Sequence, residues 1–220
     1  MRFLRESKTF GPPAFVLAGF GTVALFISVW IVASALDGRW ILGDTLSSMG
    51  TCRVEEAEMV FNYGCVLTGV LGCIFGHGIM KYNKGWLFLS GVCTFIAPIF
   101  LMGVGAINES YGDTHMTIAG LFGAFSLFAM LFSLPSDFRE HKKYFNCTLT
   151  ILIALGIGWI FIKGFGFFEV FSVLMINLWI LLQSKKYLDL IGPISYVDPI
   201  YEKFGEIKVS DSFVKRLLRK

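Results

Sequence analysis

Eight polar side chains fall at one level of an otherwise apolar chain: Asp44, Ser47, Ser48, Glu58, Asn62, Glu109, Asp113 and His115. Their types admit three chemistries. His115 could act as a general acid or base, oriented by Asp44 or Asp113, because imidazole titrates near neutrality. Ser47 or Ser48 would then be the nucleophile of an outer-leaflet hydrolase or transferase. Alternatively Asp44, Asp113 and His115 could hold a divalent metal. One histidine among scattered acids is a poor zinc signature, and residues 41–64 lack the alternating-Asp calcium pattern, so no metal is assigned. Third, the same groups could only hydrogen-bond. They would then line a pocket for a polar or lipid head group, or form a cap in which Thr45 or Ser47 closes a short helix.

The elements that position these groups are set by composition. Hydrophobic residues make up 55% of the 220 residues and charged residues 16%, against about 25% charged in soluble domains. Mean hydropathy is +0.68. Six apolar runs, at about 12–35, 58–79, 86–106, 113–133, 146–163 and 166–184, are each long enough to cross about 30 Å of hydrocarbon as a helix. The expected fold is an all-α bundle of six transmembrane helices over residues 1–186, followed by a basic amphipathic tail over 187–220. The first run exceeds the length of a signal-peptide core, so Ala33-Ser34-Ala35 is read as part of a retained helix rather than a cleavage site.

Sixteen of the nineteen Lys and Arg residues fall on the side of the two termini, and only Arg39, Arg53 and Lys163 on the other. Basic residues mark the cytoplasmic side. Both termini are therefore expected in the cytoplasm of a cell-membrane protein, with the eight polar residues facing outward. Clustered Lys and Arg beside apolar residues in the tail, as in Phe213-Val214-Lys215-Arg216-Leu217-Leu218-Arg219-Lys220, would favour anionic lipids. There is no phosphate loop, dinucleotide fingerprint or nucleic-acid module.

Within the second span Glu58, Asn62, Cys65, Gly69, Gly72 and Gly76 recur every three or four residues, a stripe expected to face neighbouring helices. Gly103/Gly105, Gly120/Ala124 and Gly156/Gly158 form similar small faces. Pro98 should kink the third span. Lys163 and Glu169 flank a tight hairpin and could pair across it. Asn177 should bond a neighbouring helix, and His77 and His141 read as interfacial and solvated. The five cysteines fit no zinc spacing and are expected to be packed thiols, although Cys52 and Cys65 could form a disulfide. The sequons at Asn108 and Asn146 are expected to be unused.

Gly43-Asp44-Thr45-Leu46-Ser47-Ser48-Met49-Gly50, followed by Phe61-Asn62-Tyr63-Gly64 at the second span, resembles a prokaryotic membrane family, domain of unknown function 998. There the loop usually reads S-D-x-[IL]-S-x-L-G, and a histidine like His115 opens the fourth span. The chain is also distantly similar to the six-span DRAM/Sfk/FGF-receptor-activating-protein group, whose first outer loop reads I-S-D-T-G and which is linked with autophagy and lipid remodelling. The resemblance covers about residues 10–185 and carries over to Asp44, Ser47, Ser48, Asn62 and His115. Gly43 stands where a serine is usual, and Glu55-Glu56 where Pro-Glu is. The expected function is binding or remodelling of a lipid or amphiphile in an outward polar pocket. A scaffold without ligand chemistry and a small-molecule transporter are the remaining readings.

Overall fold

A computed structural model describes residues 14–191. Its six helices are α1 (Ala14–Asp37), α2 (Glu55–Tyr82), α3 (Trp86–Ala106), α4 (Asp113–Glu140), α5 (Lys142–Phe161) and α6 (Phe165–Ile191). All six are long and apolar enough to cross a membrane. Helix is the form that satisfies every backbone hydrogen bond without water. Wide apolar surfaces remain outside the bundle: Trp159, Ile160 and Phe161 at the end of α5 are each more than 70% exposed. In a bilayer these meet lipid.

Helices α2, α4 and α6 outrun their apolar segments, α4 by two turns to Glu140 and α6 by two turns to Ile191. Hydropathy measures only the hydrocarbon-spanning part of a helix. The ladder continues where polar side chains find partners, and here Asp137 of α4 meets Lys186 of α6 at 2.9 Å with both side chains almost fully buried. The basic tail expected to begin at 187 is helical as far as 191. Its remainder lies outside the described residues.

The helices pack in chain order, with α6 returning to α1. Ala14 and Ile191 therefore sit at the same end of the bundle, called here the far end; the opposite, capped end carries residues 38–54 and 107–112. The small-residue stripe of α2 faces α3 within the chain. A side chain at Gly76 would strike the backbone of Thr94 and Phe95, and one at Gly72 the ring of Pro98. Small residues thus let the two backbones approach, as expected between helices in lipid. Asn177, expected to reach a neighbouring helix, instead donates to the Val173 carbonyl of its own helix at 2.8 Å. All five cysteines are free, Cys52 and Cys65 included.

At the far end, side chains tie α6 to three neighbours. Lys186 pairs with Asp137 of α4, Tyr144 of α5 donates to Asp189 at 2.5 Å, and Asn83, just after α2, donates to Tyr187 at 2.8 Å. At the capped end α4, α5 and α6 are held apart, and a cavity lies among them.

Candidate functional site

Residues 41–51 fold back over the capped end. Leu46 and Met49 are buried beside Phe61 and Val29, so two apolar plugs seat a loop that is otherwise polar. Residues 47–51 form a single 3-10 turn. Ser48 Oγ donates to the Thr45 carbonyl at 2.7 Å, Trp40 Nε1 to the same carbonyl at 3.0 Å, and Asn62 Nδ2 to the Gly50 carbonyl at 3.1 Å.

Two carboxylates from other elements hold this loop. Glu169, in the first turns of α6, accepts the Leu46 N–H at 3.0 Å and the Ser47 hydroxyl at 3.2 Å. Glu109, in the short turn before α4, accepts the Thr45 hydroxyl at 3.3 Å. Glu169, which could have paired with Lys163 across the hairpin, serves the loop instead. The residue at 43 has to be glycine here: its φ is +135°, and a side chain would meet the Phe167 ring at 2.9 Å.

Beneath the loop is a cavity of about 360 Å³. Thr45, Ser47, Glu109, His115, Glu169 and Ser172 supply its polar groups. Its body is apolar, reaching Phe26, Leu101, Phe122, Val173 and Ile176. Met116, Trp159 and Phe165 also line it and are 45%, 71% and 55% exposed, so the cavity opens sideways among α4, α5 and α6. Gly120 and Gly123 of α4 line it with no atom within 4 Å of where a Cβ would stand. The Gly120/Ala124 face, expected to pack against a helix, forms a cavity wall.

His115 is the most buried polar group at the site, at 2% exposure. Its Nδ1 lies 2.6 Å from the Ile107 carbonyl. A carbonyl only accepts, so Nδ1 carries the proton, and in the neutral form of the ring Nε2 keeps a lone pair. Nε2 is buried and has no partner. Ser172 Oγ, on the cavity wall, is likewise buried and unpartnered.

The structure brings together only some of the residues expected to form the site. Ser47, Glu109 and His115 line the cavity. Asp44 is exposed and accepts the Ile41 N–H of its own turn at 3.1 Å. Asp113 is exposed at the start of α4. Glu58 accepts from Asn108 at 3.4 Å, and Ser48 and Asn62 serve the loop backbone. Ser47, the one expected serine that lines the cavity, gives its hydroxyl proton to Glu169 rather than to His115. No three His, Cys, Asp or Glu side chains among the described residues are grouped to hold a metal ion.

Glu169, Ser172 and the α4 glycines were not among the expected site residues. Only Glu169 carried a signal, as an acid at the start of an apolar run. Comparison with curated proteins and with solved structures finds no match. The family model described as protein of unknown function (DUF998) matches residues 7–184. The chain, whose described residues form six helices long and apolar enough to cross a membrane, thus belongs to the DUF998 family.

Proposed function

We propose that the protein binds a lipid or other amphiphile in the cavity under residues 41–51, with the head group against Glu109, His115 and Glu169 and a chain along the apolar body. One observation carries this reading. A single cavity joins a polar roof to an apolar body and opens sideways, while a fully buried histidine nitrogen in that roof lacks a partner. A buried polar atom without a partner loses about 1–3 kcal/mol, and a bound head group would supply the bond. The volume suits a small ligand or one chain, since ligand pockets run from about 300 to 1,000 Å³. The rest of a larger lipid would lie in the bilayer through the side opening.

The uneven distribution of Lys and Arg supports a capped end that faces outward and termini in the cytoplasm. The site then belongs to the outer leaflet. The test is the lipid content of protein extracted in mild detergent. Wild type should retain one amphiphile per chain, and Gly120→Phe, which fills the cavity body, should lose it while remaining folded. Equal lipid content in both proteins would refute the reading.

A further inference from the structure

We propose that the head group bound here is a primary ammonium. This rests on the amphiphile reading above and adds the chemistry of the head. The polar groups of the cavity are almost all acceptors. Glu109 and Glu169 are carboxylates, and His115, a cavity-lining residue whose Nδ1 proton is engaged by Ile107, has a buried, unpartnered Nε2 that is an acceptor in the neutral ring. The hydroxyl protons of Thr45 and Ser47 already go to Glu109 and Glu169. Ser172 alone keeps a free hydroxyl proton.

No Lys or Arg among the described residues lines the cavity. Arg39, Arg53 and Lys163, the cations of the capped end, all lie outside it. A phosphate or carboxylate head would meet two like charges, with only the Ser172 hydroxyl and the Trp159 indole N–H as uncommitted donors among the lining side chains. An alkylammonium brings a positive charge and three N–H donors, for which Glu109, Glu169 and His115 are three acceptors. Each carboxylate has about four lone-pair sites. Glu169 has given two to the loop and Glu109 is engaged only by Thr45, so both retain capacity. Charge-assisted bonds in a partly desolvated site are about twice as strong as neutral ones.

The test is competition among dodecylamine, N-dodecylacetamide and dodecyl phosphate, which share one chain, followed by native mass spectrometry of the delipidated full-length protein. The amine should be retained about tenfold or more over the others. Glu109→Gln/Glu169→Gln should level that preference while still binding. Glutamine keeps an acceptor for Leu46 and Ser47, and should the double variant misfold, Glu109→Gln alone should reduce the preference. Gly120→Phe should abolish retention of all three. Equal retention of the three probes by wild type, lost in Gly120→Phe, overturns the ammonium assignment and leaves the amphiphile reading standing. Retention that Gly120→Phe does not change overturns both.

Discussion

Glu169 Oε2 accepts the backbone N–H of Leu46 at 3.0 Å, across 123 residues of sequence. With the Ser47 hydroxyl on its other oxygen, this one carboxylate fixes the loop to α6 and, by doing so, roofs the cavity. Glu169→Ala should leave the Leu46 amide without its partner and destabilise the loop by about 1–3 kcal/mol. Hydrogen exchange at Leu46 should accelerate in that variant and stay near wild type in Glu169→Gln, which retains an acceptor. Unchanged exchange in Glu169→Ala would mean the loop is held by its apolar plugs alone.

Gly43 holds a backbone conformation that excludes a side chain. Its φ of +135° and its contact with Phe167 admit no side chain. Gly43→Ser should lower the thermal midpoint by an amount equivalent to more than about 1 kcal/mol. Thermal unfolding in detergent reads this directly, with Gly38→Ser as a comparison where φ is positive but space is open.

The Asp137–Lys186 pair at the far end is buried on both sides. Lys186→Met should destabilise strongly, by about 3–5 kcal/mol, because it leaves Asp137 buried and unpaired. Asp137→Leu/Lys186→Met should recover most of that loss, since a buried pair is often replaceable by apolar residues. Thermal unfolding of the two variants and the parent checks both statements; a double variant no more stable than the single one would contradict them.

Orientation is open to direct labelling. Thr51 at the capped end and Lys142 at the far end are both exposed. In a background without native cysteines, Thr51→Cys should react with a membrane-impermeant maleimide on intact cells, and Lys142→Cys only after lysis. The reverse pattern would place the cavity at the cytoplasmic face.

The six helices were legible because apolar run length reports directly on bilayer thickness. The ends were less so. Asp137 and Lys186 lie beyond the apolar runs, and nothing in their spacing pairs two residues that the helices bring to 2.9 Å. Of the eight polar residues expected at one level, three, Ser47, Glu109 and His115, line the cavity. Asp44 and Asp113 lie at the same level but are exposed, because sequence spacing sets height along a helix and not the direction of a loop side chain. Proximity offered Lys163 as one possible partner of Glu169, and a bond spanning 123 residues leaves no local pattern. The glycines of α4 could not be told from packing glycines, since the same residue suits a tight interface and an open wall.

The most direct measurement is an experimental structure of the full-length protein crystallised from a lipid mesophase. Elongated density should run from His115 along Phe122 to Ile176, its polar end within hydrogen-bond distance of His115, Glu109 or Glu169. A cavity closed by Met116 and Phe168, with the His115 nitrogen satisfied by another protein group, would contradict the amphiphile reading.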